Sequence, residues 1–258
     1  KMKNKKISSW IPNLLTSLAL LMGLLAIFNL INLSLNLSSK SEFLKSLWWT
    51  CIFIYTAAFL DFIDGKIARL LNKDSMFGMH YDSLCDLISF GVAPSILGYV
   101  TYLYQFEKFG LVCSIFYVLC VALRLARFNT LSHDEKDNFF IGLPSPMAAG
   151  LIVSIVLLNL KFNVIASSYL GYLFLFLVPV VGLLMVSNTI FIKRLAFKGI
   201  NRFNFLIIIS IVSLALITNI ELGSFIFFYF YLFFSLFKYF LFKLKKKSGE
   251  TSQSFWKI

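Results

Sequence analysis

Long apolar stretches separated by short polar ones make up most of this sequence. Many approach or reach the length of about 17–25 residues that an α-helix needs to cross a bilayer. We place eight predicted spans at residues 11–33, 46–71, 79–104, 108–128, 144–160, 167–188, 203–218 and 224–242. The seventh is short, and only a brief turn ending at Gly223 separates it from the eighth. The pattern predicts an all-α, polytopic transmembrane helix bundle.

Composition excludes a soluble globular protein. Of the 258 residues, 59% are hydrophobic and only 14% are charged, which is too few for a water-exposed surface. No polar stretch is long enough to form a separate soluble domain, so we expect one membrane domain. The first span follows a lysine-rich start, as in a signal peptide. Its length and the lack of an A-x-A-like cleavage site favour a retained helix.

The distribution of positive charge predicts the orientation. If the N-terminus is inside, 20 of the 24 lysines and arginines lie on the inner side of the membrane. The positive-inside rule then places both termini in the cytoplasm, with the protein in the inner (cytoplasmic) membrane. The net charge of +12 is explained by this asymmetry, and no nucleic-acid partner is needed to account for it. Membrane lipids are the expected surroundings.

Aspartates are concentrated in one short segment. Five of the seven lie between Asp61 and Asp86, around the second and third spans. Asp74 falls in the turn, which leaves four on the helices. An unpaired aspartate in a span costs about 2.5–3.5 kcal/mol, so ionisable residues at such depth indicate a functional site.

Helical geometry predicts that the four carboxylates converge. Asp61 and Asp64 share one face of the second helix, and Asp82 and Asp86, four residues apart, share one face of the third. Folding the hairpin near Lys73 brings Asp61 level with Asp86 and Asp64 level with Asp82. The predicted pocket lies near the cytoplasmic end.

Four carboxylates this close cannot all ionise unless cations join them. Oxygen ligands favour hard ions, so we expect two divalent cations, Mg²⁺ or Mn²⁺. Two such ions form a recurrent clamp for displacement at phosphorus. Gly65, Ala68 and Gly78 lie on the helix faces that carry the aspartates, and their small size leaves room for a ligand. The alternative is that these small residues serve tight helix packing, which is common in membranes.

The spacing D-x2-D-G-x2-A-R-x8-G-x3-D-x3-D resembles the signature of the CDP-alcohol phosphotransferase family. Its fixed positions are Asp61, Asp64, Gly65, Ala68, Arg69, Gly78, Asp82 and Asp86. The resemblance implies that Asp61, Asp64 and Asp82 hold one ion. It implies that Asp61, Asp82 and Asp86 hold the other, with Asp86 also acting as general base.

The resemblance also implies a nucleotide site and a substrate class. The CDP moiety would lie over Gly65 and Ala68, with Arg69, Gly78 and, from the first span, Asn13 and Thr16 as further contacts. SFGVAP (89–94), LRLARFN (123–129) and FIGLPSPMAAG (140–150) are similar to segments of the integral-membrane phosphatidylserine synthases within that family. The implied substrates are CDP-diacylglycerol and L-serine, and a homodimer is implied by the resemblance alone.

Two features near the inner surface could pair with the carboxylate of serine. Arg124 and Arg127 lie on one face of the fourth helix, and arginine suits a carboxylate through its bidentate fork. The fifth helix begins near Ser145, and a helix N-terminus favours an anion. The alternative for the arginines is a topology anchor that reaches the headgroups.

Two other functions are compatible with parts of this sequence. Glycerol 3-phosphate or inositol phosphate could replace serine, although an acceptor phosphate should require a larger basic pocket. An ion-coupled transporter would spread its acids over repeated helices, whereas here they cluster on one hairpin with no second copy. We assign residues 1–190, with six spans, to the catalytic membrane domain. Residues 191–258 comprise two further helices and a basic cytoplasmic tail, without a recognised motif.

Overall fold

Helices form almost all of the structure, a computed structural model that describes residues 2–35, 39–70, 76–130, 140–162, 167–191 and 219–247. The α-helices are α1 (Met2–Leu35), α2 (Lys40–Leu70), α3 (Met76–Asp86), α4 (Ala93–Gly98), α5 (Glu107–Thr130), α6 (Ser145–Phe162), α7 (Ser167–Val186) and α8 (Ile220–Lys247). π-Helical turns at Leu87–Val92 and Tyr99–Leu103 flank α4, and a 3₁₀ turn follows at Tyr104–Phe106. The strands β1 (Phe140–Ile141) and β2 (Ile190–Phe191) pair antiparallel.

Six described segments are long and apolar enough to cross a membrane. They are Asn13–Leu35, Lys40–Ile67, Met76–Thr130, Ser145–Phe162, Tyr169–Val186 and Ile220–Leu241. The predicted all-α transmembrane class is confirmed, and the chain is an integral membrane protein. The predicted span at 203–218 lies outside the described residues, so the total of eight and the orientation of the termini stay predictions.

The longest of these segments, 55 residues, contains a reversal of the chain. Glu107 has a φ of 47°, and the helices on either side of it run back along each other. Ser95 Oγ donates to the carbonyl of Ser114 at 2.8 Å, and Tyr117 Oη donates to the carbonyl of Phe90 at 2.9 Å. In each pair one residue precedes Glu107 and the other follows it. The segment is therefore an antiparallel hairpin where the sequence predicts a third and a fourth span.

Helices α1 and α2 form a second hairpin with polar contacts between its arms. Ser39 and Glu42 form a capping box at the start of α2, because Ser39 N donates to Glu42 Oε2 at 3.1 Å and Glu42 N donates to Ser39 Oγ at 3.4 Å. Asn29 Nδ2 donates to Thr50 Oγ1 at 2.8 Å across the two helices. Such interhelical hydrogen bonds stabilise helix pairs inside membranes.

The last described helix, α8, packs on the buried helix α6. Lys161 Nζ pairs with Glu221 Oε2 at 2.9 Å near one end of the pair. Farther along, Gly150 faces the ring of Phe228, which stacks on Tyr55 of α2 at 5.8 Å. These contacts make α8 part of the helix bundle.

Candidate active site

Three carboxylates of the α2–α3 hairpin converge. Asp61 and Asp64 from α2 and Asp82 from α3 each offer an oxygen, and these oxygens lie within 4.8 Å of one another. Asp64 is buried, and the other two are partly buried. Because like charges this close repel strongly, a set of hard oxygen ligands with this spacing is suited to a divalent cation.

Asp86, the last residue of α3, extends the cluster to four carboxylates. It interacts electrostatically with Asp61, Asp82 and Asp64. Asp61 and Asp86 lie within hydrogen-bonding range of each other. The four carboxylates of α2 and α3 therefore lie in one cluster.

Helix α1 contributes polar groups to the same place. Thr16, which is buried, donates its hydroxyl hydrogen to Asp64 Oδ2 at 2.7 Å and so orients that carboxylate. One turn earlier, the carbonyl of Asn13 accepts a hydrogen bond from Ser17 Oγ at 2.7 Å. Ser17 Oγ also lies 2.8 Å from Tyr81 Oη, next to Asp82 on α3. The two predicted α1 residues thus lie on the side of α1 that meets α2 and α3.

The small residues of the motif fall on the two helices that carry the carboxylates. Gly65 directly follows Asp64 on α2, and Gly78 lies one turn before Asp82 on α3. Both are partly buried. Ala68 and Arg69 belong to the last turn of α2, and their side chains lie outside the described part of the structure.

The backbone changes from α-helical to π-helical immediately after Asp86. Ser89, within this turn, donates to the carbonyl of Ala19 on α1 at 3.2 Å. Gly23 allows this approach, because a Cβ there would lie 2.9 Å from Ser89 Cα. Tyr117 of α5 donates to the Phe90 carbonyl from the other side. Isolated π-helical turns are frequent at functional sites, and this one is held by α1 and α5 next to Asp86.

A buried arginine lies beside the carboxylates. Arg124 of α5 is only 9% exposed and interacts electrostatically with Asp86 and Asp61. Its Nη1 donates to Ser145 Oγ, at the start of α6, at 2.8 Å. Among the described residues, its Nε has no hydrogen-bond partner. A buried guanidinium with a free donor is suited to an anionic ligand, because a buried donor without a partner is costly.

The structure separates the two arginines that the sequence groups together. Arg127 donates from Nη1 to the carbonyl of Val186 at 3.1 Å and from Nη2 to Asn188 Oδ1 at 2.6 Å. Val186 is the last residue of α7, where a cation satisfies free carbonyls and the helix dipole. Arg127 therefore connects α5 to the end of α7, whereas Arg124 and Ser145 meet beside the carboxylates.

Sequence reasoning did not single out three residues around this site. Ser89 and Tyr117 hold the π-helical turn, and Tyr231 of α8, whose hydroxyl group interacts with Ser235, lies within electrostatic range of Arg124. Ser89 lies in a segment that the sequence highlights, which is a weak signal. The sequence gives no signal for Tyr231, because α8 is rich in aromatic residues that are equally suited to lipid contact.

Comparison with known proteins agrees with this geometry. The family model described as CDP-alcohol phosphatidyltransferase matches residues 9–237, a range that holds all four carboxylates, Arg124 and most of α8. This match confirms the resemblance drawn from the aspartate spacing. It also confirms the prediction of an enzyme and disfavours the transporter.

Several curated relatives are similar over most of their length. A CDP-diacylglycerol–serine O-phosphatidyltransferase of Helicobacter pylori is 35% identical over 212 residues, which cover 81% of this chain and 83% of the relative. One of Bacillus subtilis is 39% identical over 155 residues, 60% of this chain and 78% of the relative. An archaetidylserine synthase of Methanothermobacter thermautotrophicus is 36% identical over 191 residues, 72% of each chain. On the family match and these relatives, the chain belongs to the CDP-alcohol phosphatidyltransferase family.

Proposed function

We propose that this enzyme transfers the phosphatidyl group of CDP-diacylglycerol to L-serine, giving phosphatidylserine and CMP. The observation that carries the proposal is the convergence of the Asp61, Asp64 and Asp82 oxygens within 4.8 Å beside Asp86. The names of the three relatives support serine as the acceptor, since all three name a serine lipid as product or serine as substrate. They differ in the lipid, and the two bacterial names support a diacylglycerol donor.

The carboxylates fit two divalent cations, Mg²⁺ or Mn²⁺. Asp61, Asp64 and Asp82 would hold one ion, and Asp61, Asp82 and Asp86 the other. When bound, two such ions neutralise the carboxylates and stabilise negative charge on the pyrophosphate. The Thr16 hydroxyl, bonded to Asp64, fixes the direction of that carboxylate, as outer partners of metal ligands commonly do.

The proton of the serine hydroxyl goes to Asp86. The serine oxygen attacks the phosphorus that carries the diacylglycerol, and the bond from this phosphorus to the CMP oxygen breaks. CMP leaves with the electron pair of that bond. Asp86 is suited to the role of base, because it lies at the end of α3 and the π-helical turn that follows it is held on both sides.

The donor nucleotide would occupy the side of the site formed by α1 and the motif helices. Gly65 and Gly78 leave room for it on α2 and α3, and Asn13 and Thr16 present polar groups from α1. Ala68 and Arg69 complete the proposed CDP contacts. The diacylglycerol chains would remain among the membrane lipids.

Serine would lie on the other side of the carboxylates, against Arg124. The free Nε of Arg124 and the Ser145 hydroxyl at the start of α6 offer donors to a carboxylate. Arg127 donates a hydrogen bond to the end of α7, so it would affect the serine site only through the packing of α5. We further propose that the site faces the cytoplasm from the inner membrane and that the enzyme is a homodimer.

Release of CMP tests the proposal. Purified protein with CDP-diacylglycerol and Mn²⁺ or Mg²⁺ is expected to release CMP on addition of L-serine, and chelation of the metal is expected to stop it. Glycerol 3-phosphate and inositol phosphate are tested in parallel. Faster release with either of them than with serine would reject serine as the acceptor, and no release with any alcohol would reject the reaction.

A further inference from the structure

Helix α3 has few buried side chains to hold its orientation. It is eleven residues long, and among its described residues only Cys85 is buried. Met76 and Phe77, in its first turn, are largely exposed. Lipid gives apolar side chains little reason to pack on a neighbouring helix, so polar contacts become important for fixing how such a helix is rotated about its axis. This rotation matters because α3 carries Asp82.

The residue that follows Asp82 is bonded to α5. Asn129 Nδ2, in the last turn of α5, donates to Ser83 Oγ at 2.9 Å, and the same oxygen lies 3.3 Å from Asn129 Oδ1. Ser83 Oγ is also 3.1 Å from the carbonyl oxygen of Met79, one turn earlier, so it can donate there while it accepts from Asn129. Ser83 and Asn129 are both partly buried. The amide group of Asn129 therefore ties the end of α5 to α3.

The residue that precedes Asp82 is held by a different helix. Tyr81 Oη lies 2.8 Å from Ser17 Oγ of α1, within hydrogen-bonding distance. Successive residues of an α-helix are about 100° apart, so Tyr81 and Ser83 project about 100° to either side of Asp82. Helices α1 and α5 thus hold α3 from two sides, with Asp82 between the two contacts.

The three polar residues of the LRLARFN segment contact three different helices. Arg124 donates to the first residue of α6, and Arg127 donates to the end of α7. Asn129 is two residues beyond Arg127, about 200° around the helix, and contacts α3. The last two turns of α5 therefore connect the proposed acceptor contact, Arg124, with the helix that carries Asp82.

We propose that Asn129 is a positioning residue for the metal site: through Ser83 it fixes the rotation of α3 and with it the direction of Asp82. In this rotation the Asp82 oxygen lies within 4.8 Å of those of Asp61 and Asp64. The inference rests on the proposed function, which places divalent cations on these carboxylates, and deepens it. Asn129 acts through α3 and is not itself a ligand.

The test is Mn²⁺ binding by the full-length protein in phosphatidylcholine nanodiscs, measured from the electron paramagnetic resonance signal of free Mn²⁺. Asn129→Leu keeps the approximate side-chain volume and removes the amide group. We expect the Kd for Mn²⁺ to rise about three- to tenfold. Outer partners of metal ligands typically contribute about 10–100-fold to metal affinity or activity, and Asn129 acts one step farther out.

Asn159→Leu is the matched control. Asn159 is also partly buried and also donates across two helices, to Tyr102 Oη at 3.1 Å. It is on α6, 14 residues beyond Ser145, which corresponds to about 21 Å along the helix. This variant should bind Mn²⁺ with the wild-type Kd.

A double-mutant cycle separates positioning from general packing. Ser83→Ala removes the other partner, so it should raise the Kd for Mn²⁺ by a similar factor, and the double variant should raise it little further. A lower unfolding temperature of metal-free Asn129→Leu with a Kd within about twofold of the wild type would overturn the inference, as would fully additive effects in the cycle. If Asn129→Leu does not fold, Ser83→Ala, the smaller change, decides by the same criterion.

Binding of Mn²⁺ requires neither substrate, so this test also separates the inference from the proposed function. Wild-type protein that binds Mn²⁺, with the expected loss in Asn129→Leu, but releases no CMP with any alcohol would reject the reaction and support the role of Asn129. Wild-type protein that binds no Mn²⁺ would reject the metal site and the inference together.

Discussion

The clustered carboxylates differ in their other contacts. Asp64 is fixed by the hydroxyl of Thr16, whereas Asp61 faces Asp86 across the hairpin. In the proposed arrangement, Asp61 and Asp82 would each be a ligand of both ions. At the scale of single residues, the two shared ligands should therefore be less replaceable than Asp64.

Removing a shared ligand should abolish turnover. Asp61→Ala or Asp82→Ala is expected to be inactive at any Mg²⁺ concentration, because neither proposed ion keeps its full ligand set. Asp64→Ala touches one ion, so high Mn²⁺ should restore part of its activity. The rate of CMP release at increasing metal concentration tests both expectations. Near-wild-type activity in Asp61→Ala would contradict the assignment of Asp61 as a shared ligand.

The base can be separated from the ligands by an amide. Asp86→Asn keeps an oxygen for weak coordination but cannot take a proton. We expect CDP-diacylglycerol binding to persist and kcat to fall by about 10²–10⁴-fold. Binding of the donor lipid and single-turnover rates measure the two effects separately, and an unchanged kcat would mean that another group accepts the proton.

The two arginines provide a matched pair. Arg124→Lys keeps the charge but loses the bidentate fork, so the serine KM should rise about tenfold, equivalent to about 1.4 kcal/mol. Arg127→Lys should leave the serine KM near the wild-type value and lower the unfolding temperature, because its partners are at the end of α7. The measurement is the serine KM of each variant at saturating donor lipid. A change below about twofold in Arg124→Lys would mean that Arg124 is a charge anchor and does not bind serine.

At the scale of elements, the position of Asp86 depends on how α1 crosses the π-helical turn. Gly23 and Ser89 are in close contact there, and the Ser89 hydroxyl bonds to the carbonyl of Ala19. Cores tolerate added atoms poorly when backbone is the obstacle. The sequence marks SFGVAP as a motif, and its contact with α1 supplies a physical reason for the serine.

Filling this contact should damage both stability and turnover. Gly23→Ala would place a Cβ 2.9 Å from Ser89 Cα, so α1 must shift, at a cost of about 1–3 kcal/mol in the free energy of unfolding. Gly98→Ala is the control, because the nearest atom to its Cβ, on Phe174, is 3.4 Å away. Unfolding temperature and kcat are measured for both, and equal behaviour of the two variants would contradict the role given to this crossing.

At the scale of the whole molecule, the predicted orientation decides which side of the membrane supplies serine. With both termini in the cytoplasm, Asn163 lies outside and Asn138 lies inside. An impermeant thiol reagent applied to intact cells should label a cysteine introduced at Asn163 but not one at Asn138. The reverse pattern would invert the topology and place the site on the outer face.

The sequence alone determined the class, the hairpin and the carboxylate cluster. Hydropathy fixes membrane-spanning helices because lipid requires every backbone polar group to be paired within its own segment. The cluster follows because aspartates three or four apart share a helix face, and the two helices that carry them are close neighbours along the chain. These features depend on local geometry, so they can be predicted from the chain.

Tertiary structure decided which distant groups complete the site. Arg124 and Arg127 share a helix face, yet one meets Ser145 beside the carboxylates and the other meets the end of α7. Tyr231 is buried against the ring of Phe191 only because α8 packs into the helix bundle. Contacts between distant segments depend on how helices rotate and cross, and this is set by the fit of many side chains. No local pattern in an aromatic-rich helix could distinguish Tyr231 from a neighbour that faces lipid.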